Sequence, residues 1–382
     1  MNTNTELKSI VGDLINWFSE NKRDFAIRNM SRLSREQRIY RVWIFEVMSQ
    51  QSTLKTVLPR YEEWMKLMPS LEALRAASLT DVLRIWTGLG YYSRARNLFF
   101  SAKNIQSFSQ FQTWEDFLKI KGVGEYTAKA IASVALDSPV IPVDGNVTRV
   151  ASRYWGIQDP LNNQVDRMKI VRELEKLTPF IPHGRRSHFA QAWIELGSQV
   201  CKATSNPVCN GCPLFETCSV PQLNLDWRSF PVPRARTRIQ KQSLLILLYT
   251  NKGQRKEVLV RRIPEDWPLG GQWEIPWVGR DGWMGLRGKS KPAPLEKINN
   301  YSNIPETKLG IGRFKHSIMQ YQFLCELMDL GSWKGPIPEG HRWIDIENTD
   351  ALITTQSRKA LEMFSTHLKT QEKSQFLLDK PV

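Results

Sequence analysis

Apolar positions in the first half of the chain recur at helical spacing. Ile10, Leu14, Trp17 and Phe18 form one stripe, and Ile39, Val42, Trp43 and Val47 form another, as expected where every third or fourth side chain faces a core. Further amphipathic stretches cover residues 53–67, 93–105, 165–177 and 187–199, with a short helix near 114–118. Short loops carrying Pro or Gly separate them. From Leu7 to about Gln199 the pattern predicts an all-α domain of many short helices. From Gln242 the texture changes. Residues 243–250 (SLLILLYT) and 258–262 are runs of strand formers around an Asn251-Lys252-Gly253 turn. Residues 320–328 and 341–346 read as further strands and 355–367 as a closing helix. The fold class expected is therefore a mainly α N-terminal part followed by a smaller, mixed α/β C-terminal domain.

A chain of 382 residues is too long for one core and suits two domains. With 41% apolar and 24% charged residues it has a globular composition, which excludes a largely disordered chain. The net charge of +15 points to a polyanionic partner, without choosing between DNA, RNA and an anionic membrane. No apolar run is long enough to span a bilayer. The polar N-terminus has neither signal-peptide nor presequence character, so the expectation is a soluble, cytoplasmic, nucleoid-associated monomer that does not contact membrane. Between Trp227 and Lys256 there are eight basic residues and no acidic one. Residues 222–240 are accordingly read as a basic linker, either a solvated connector or one that lies along DNA. It divides a helical domain at 1–221 from a second domain at 241–370 and a tail at 371–382.

Four of the five cysteines fall within 18 residues, spaced Cys201-x7-Cys209-x2-Cys212-x5-Cys218. In a reducing compartment such a cluster indicates metal binding rather than disulfides. Four thiolates suit a [4Fe–4S] cluster or zinc, and the spacing leaves both open. Cys325 stands alone in an apolar strand and is read as core.

Residues 119–133 contain Lys121-Gly122-Val123-Gly124 at a turn between two helices. Glycines there let backbone N–H groups approach a phosphate at the start of the next helix, although an ordinary tight turn would use the same residues. Asp144, 20 residues beyond Gly124, opens Asp144-Gly145-Asn146-Val147 and suits a helix N-cap. Glu46 lies in an apolar helix on the face of Ile39, Trp43 and Gln50, where a bare carboxylate is costly to bury. A salt-bridged glutamate is the structural alternative. An acid and a carboxylate are the pair that cleavage of a glycosidic bond requires.

GVGEYTAKAIAS followed by VDGNVTRV and the four cysteines resembles the helix-hairpin-helix, iron–sulfur DNA glycosylases. RVWIFEVMSQQS and WTGLGYYSRARNL make the chain similar to the MutY family of adenine glycosylases in particular. The likeness is specific from about residue 24 to 218 and weaker over 240–365. It implies excision of adenine opposite 8-oxoguanine or guanine in double-stranded DNA, and a [4Fe–4S] cluster on Cys201, Cys209, Cys212 and Cys218. By the same resemblance Glu46 protonates the adenine ring and assists the water. Asp144 stabilises the cationic sugar, positioned by Asn146, with Tyr126 hydrogen-bonding nearby. Bifunctional relatives carry a lysine at position 126 that forms a Schiff base with the sugar. A phenol cannot, so base excision without strong lyase activity is expected, with Lys129 exposed one turn on. Wedge and pocket residues implied are Gln51, Ser52, Leu89 and Tyr91, with Arg28 and Gln191 at the flipped adenine. Lys121, Gly122, Val123 and Gly124 would hold the DNA backbone.

Gly270–Pro276 resembles a motif of the family's Nudix-like domain, which checks the opposite base. No glutamate-rich Mg²⁺-binding helix occurs, so no pyrophosphatase activity is expected. Phe314-Lys315-His316 matches the loop that contacts 8-oxoguanine, with His316 as the contact. The chain departs from the family pattern at Ile27 (a tryptophan in relatives), at Ser49, at Lys315 (a serine), and in the seven-residue first cysteine loop, whose basic residue is Lys202. Catalytic positions are kept while recognition positions have drifted. Two rival readings are a glycosylase with altered base choice, such as a thymine-mismatch enzyme, and a DNA-binding scaffold with a degenerate pocket.

Overall fold

The computed structural model describes residues 3–28, 30–159, 164–232, 239–251, 254–264, 269–279, 310–318, 321–347 and 353–378. The chain divides into two compact units, Met1–Ala235 and Arg236–Val382.

The first unit is helical: α1 (Asn4–Asn21), α2 (Arg35–Ser49), α3 (Leu54–Leu67), α4 (Leu71–Ala76), α5 (Leu79–Ile85), α6 (Ser93–Asn104), α7 (Trp114–Phe117), α8 (Glu125–Leu136), α9 (Gly145–Trp155), α10 (Gln164–Glu175), α11 (Arg186–Gln199) and α12 (Ser219–Gln222). Local chemistry sets the helix starts. Thr3 with Glu6 and Ser34 with Gln37 form reciprocal capping boxes at α1 and α2, each satisfying two N–H groups that the helix itself leaves unpaired. Asp144 caps α9 by accepting from Val147 N at 2.8 Å. At its other end α9 stops at Gly156, in the left-handed conformation that glycine adopts without strain.

Leu14 and Phe18 of α1, Val147 and Ala151 of α9, and Phe189, Trp193 and Leu196 of α11 form one apolar cluster. α11 therefore packs on α1, α8 and α9, while α2 packs on α8. Trp193 is wholly buried, and truncating such a side chain typically costs about 3–5 kcal/mol. This core fixes α1, α9, α10 and α11 to one another, and α8 joins through α11 and brings α2 with it.

The assignment of residues 222–240 to a linker is corrected in its first half. Residues 227–229 form a 3₁₀ turn, Phe230 is 2% exposed, and Arg153 Nε donates to the carbonyls of Trp227 (3.2 Å) and Phe230 (3.1 Å). This stretch belongs to the helical unit because a buried aromatic and a buried guanidinium anchor it. Residues 233–238 lie outside the described residues.

The second unit is a mixed sheet of β1 (Gln240–Asn251), β2 (Gln254–Arg262), β3 (Trp273–Glu274), β4 (Trp277–Gly279), β5 (Gly310–Ile318), β6 (Tyr321–Ser332) and β7 (His341–Asp345), followed by α13 (Thr355–Leu378). Its path runs β3-β2-β1-β6-β5, with β4 paired to β1 and β7 to β2. β1 and β6 are parallel, and the other pairs are antiparallel. The continuous apolar run of β1 is explained by burial on both faces. Leu244, Ile246 and Leu248 join a core with Phe323, Cys325, Leu361 and Phe364, while Leu247 packs with Met328 and Leu330. Cys325 is fully buried.

Two expectations are corrected here. The supposed tail beginning at 371 continues α13 to Leu378. Phe314-Lys315-His316 is not a loop: it lies within β5, where His316 pairs with Phe323 of β6. Lys252 and Gly253 of the expected turn lie outside the described residues. Among the described residues no helix is long and apolar enough to cross a membrane.

Candidate active site

α2, α8, α9, α11 and the turn at 26–28 enclose a cavity of about 250 Å³. Glu46, Tyr126, Asp144 and Asn146 line it, together with Arg23, Arg28, Gln191 and Glu195. In a second cavity of about 390 Å³, beside Trp114 and Lys129, Glu175 is the one carboxylate among the described lining residues, which offer no acid–carboxylate pair.

Glu46 projects from α2 among Val42, Phe45 and Ser49 and meets solvent through the cavity. Burial, and next the negative charge of Asp144, pushes its carboxyl up to about 7, against the opposing effect of a hydrogen bond from Tyr126. Tyr126, on α8, is itself held well above the usual phenol range by burial and by the two nearby carboxyls. It is a neutral donor to Glu46. Asp144 does two jobs at once: Oδ1 caps α9, while Oδ2 accepts from Asn146 Nδ2 at 2.8 Å. Asn146 Oδ1 in turn accepts from Arg149 Nη2 at 2.9 Å, and Arg149 also donates to the carbonyls of Gly197 (2.8 Å) and Cys201 (2.9 Å). Arg149 thus ties the carboxylate's support to the start of the cysteine loop.

The sequence reading missed three elements of this site. Gly197 is required because a Cβ there would lie 2.6 Å from Asn146 Cβ, so α9 and α11 could not approach as they do. Glu195, 2% exposed, accepts from Arg23 Nε at 2.5 Å and Arg28 Nη2 at 2.7 Å. Arg23 completes this pair and reaches Ser198 Oγ at 2.7 Å. The available signal was a glutamate inside the apolar run Ala192-Trp193-Ile194-Glu195-Leu196, where a buried carboxylate demands partners.

Arg28 also donates from Nε to Gln191 Oε1 at 3.3 Å and from Nη1 to the carbonyl of Arg23, and it stacks over Phe18 and Phe25. Gln191 Nε2 donates to Ser187 Oγ at 3.0 Å. Ile27 and Ser49 both line the cavity. Ser52 lines it too and donates to the carbonyl of Leu89 at 3.2 Å. Gln51 is exposed with φ of 57° and Tyr91 is 47% exposed with φ of 45°, so both stand outside the cavity on left-handed backbone.

The placement of Leu89 and Val123 at a partner surface is corrected. Leu89 is 4% exposed under its loop, and Val123 is 7% exposed with its N–H already donated to Ile120 O at 3.0 Å. Lys121, Gly122 and Gly124 remain exposed at the hairpin. Gly122 has φ of 87°, and a Cβ there would meet Asn97 Nδ2 at 2.9 Å. Lys129 is not free either: it pairs with Glu125 at 2.6 Å and lies over Trp114. In the second unit His316 is partly buried, and burial together with Lys359 lowers its tendency to protonate.

Cys201, Cys212 and Cys218 pack against the helical core. Burial pushes the Cys212 thiol up to about 12 and the Cys218 thiol up to about 11, and both respond to the charge of Cys201 and Cys209. Arg153 Nη1 donates to Cys201 Sγ at 3.2 Å. Among the described residues no three His, Cys, Asp or Glu side chains stand at metal-coordinating spacing. In chemistry the donor set fits a cationic centre. Buried thiols need one to ionise, and the Arg153 guanidinium beside Cys201 offsets part of the thiolate charge.

Residues 44–179 match the HhH-GPD superfamily base excision DNA repair protein, the class that this fold and cavity define. The chain is 33% identical over 306 residues to the adenine DNA glycosylase of Arabidopsis thaliana, which covers 72% of this chain and 48% of that protein. It is 32% identical over 244 residues to that of Buchnera aphidicola subsp. Schizaphis graminum, covering 63% and 67%. Identity to the Mus musculus protein is 28% over 410 residues, covering 93% and 78%. The match thus spans about half the length of the Arabidopsis relative. Within the superfamily the chain belongs to the adenine DNA glycosylases.

Proposed function

We propose that this protein is a monofunctional DNA glycosylase that hydrolyses the N-glycosidic bond of adenine mispaired with 8-oxoguanine or guanine. The observation that carries the reading is the shared cavity of Glu46 and Asp144, in which burial and the neighbouring charge push the Glu46 carboxyl up to about 7. Such a group still holds a proton near neutrality and can give it away, while Asp144, fed by two donors, offers negative charge.

The base must leave the helix stack to reach the cavity. Glu46 transfers its proton to a ring nitrogen of the base, and the C1′–N9 electron pair departs with the base. Asp144 faces the positive charge that develops on the sugar. A water then adds at C1′ and gives its proton to the Glu46 carboxylate, which restores the acid. No amine stands at position 126, and Lys129 is engaged by Glu125 and Trp114, so imine formation and strand cleavage are minor. Lys121, Gly122 and Gly124 bind the DNA backbone at the start of α8.

Cys201, Cys209, Cys212 and Cys218 would hold a [4Fe–4S] cluster, which when bound supplies a cross-link that orders the loop and one-electron chemistry. The sheet-containing unit is read as Nudix-like, with His316 contacting the opposite base. A panel of duplexes with single mispairs tests the proposal, the expected result being release of free adenine from A:8-oxoguanine and A:G. Excision of thymine alone would favour the altered-base reading. Intact DNA affinity with no excision from any duplex would favour a scaffold.

A further inference from the structure

We infer that Glu195 is a positioning residue that sets base choice, by fixing the guanidinium of Arg28 and, through it, the direction of the Gln191 carboxamide. The inference rests on reading the cavity as the pocket for an extruded base.

Glu195 is a buried carboxylate with a full set of donors. Oε1 accepts from Arg23 Nε at 2.5 Å, Arg23 N at 3.3 Å and Gln199 Nε2 at 2.7 Å, while Oε2 accepts from Arg28 Nη2 at 2.7 Å and Arg23 Nη2 at 3.2 Å. It is anchored on α11, one turn from Gln191, and both side chains line the cavity that holds Glu46 and Asp144. A guanidinium is a rigid planar fork, so fixing one edge fixes the other. With Nη2 on Glu195 and Nη1 on the carbonyl of Arg23, Nε points to Gln191 Oε1 at 3.3 Å. That bond forces the oxygen of the Gln191 amide toward Arg28 and leaves its nitrogen on Ser187. Both N–H groups of the amide have acceptors on Ser187, Oγ at 3.0 Å and the carbonyl at 3.3 Å, so what the amide keeps for a ligand is the second lone pair of Oε1.

An acceptor held in that direction distinguishes a purine bearing an exocyclic amine, which can donate to it, from one bearing a carbonyl at the same carbon, which cannot. A neutral side chain at 195 would release Arg28, and the amide could turn. A pocket built on hydrogen bonds rejects a mismatched edge far more strongly than one built on shape.

The test compares excision of adenine and hypoxanthine opposite guanine by wild type, Glu195→Gln and Glu195→Asp, with kcat and KM determined separately and binding to a duplex carrying an abasic-site analogue as the check of fold. Glu195→Gln is expected to shrink the adenine-to-hypoxanthine ratio of kcat/KM by about tenfold or more, and Glu195→Asp to restore most of it. Where Glu195→Gln fails to fold, Arg28→Lys provides the same reading, since an ammonium keeps the charge but cannot bond Glu195 and Gln191 from two edges of one plane; a collapse of the same ratio is expected. An active wild type whose ratio is unchanged in these variants, even if all rates fall together, would overturn the inference alone. A wild type inactive on every duplex would overturn the reading of the cavity and this inference with it.

Discussion

Two glutamates line one cavity, and their surroundings drive them in opposite directions. Glu46 sits among apolar side chains with a second carboxylate nearby, so burial and repulsion both favour its protonated form, at about 7. Glu195 is also buried, which by itself would raise it, yet hydrogen bonds and charge from Arg23 and Arg28 outweigh burial and hold it below the ordinary carboxylate range. The same side chain is thus tuned as an acid at one position and as a fixed anion at the other. Glu195 has two guanidinium groups to counter its burial, whereas the charge next to Glu46 is another carboxylate.

Replacing the acid should have the largest effect. Glu46→Gln keeps shape and removes the transferable proton, so single-turnover excision should fall by about a thousandfold while DNA affinity stays within a few fold. Retained excision would remove Glu46 from the acid role and erase the contrast between the two glutamates.

The next effect is on stability. A carboxyl raised from 4.5 to about 7 by folding contributes stability that is fully present below pH about 4.5 and is lost as pH rises through about 7. Glu46→Gln lacks this dependence. Its stability relative to wild type should therefore climb across that interval by about 3 kcal/mol, measured by denaturant melts at several pH values. A flat difference would mean that Glu46 is not raised. Glu195, lowered instead, contributes in the opposite sense, with stability present at neutral pH and lost on acidification.

The smallest effect separates the surroundings of Asp144 from those of Glu195. Gly197→Ala places a methyl against Asn146, whose Cβ would be 2.6 Å away, and should cost about 1–3 kcal/mol of overpacking. It disturbs the support of Asp144 but not the contacts of Glu195. The excision rate should drop while the adenine-to-hypoxanthine ratio is preserved, the reverse of the pattern expected for Glu195→Gln.

Much of this was legible in the residues. The 3.6-residue periodicity located most of the principal helices, because burial repeats with helix geometry, and the runs of strand formers after Gln242 located β1, β2, β6 and β7. Asp144 could be read as an N-cap, and it is one. Short range determined less elsewhere. Residues 314–316 resemble a loop yet extend as β5, since pairing with β6 satisfies their backbone. Lys129 was expected in solvent, but Glu125 one turn back and Trp114 on another helix hold it.

By itself, then, the sequence determined the helical and sheet-bearing halves, the caps, the four-cysteine run and the identity of the two carboxyls 98 positions apart at Glu46 and Asp144. Only the tertiary structure decided that those carboxyls share a cavity, that Glu195 is neutralised by Arg23 and Arg28 from 172 and 167 residues away, and that Gly197 must be small. The physical reason is range. Periodicity and capping act within a turn or two of backbone, whereas desolvation, charge pairing and close helix approach depend on which distant segments the packed core brings together.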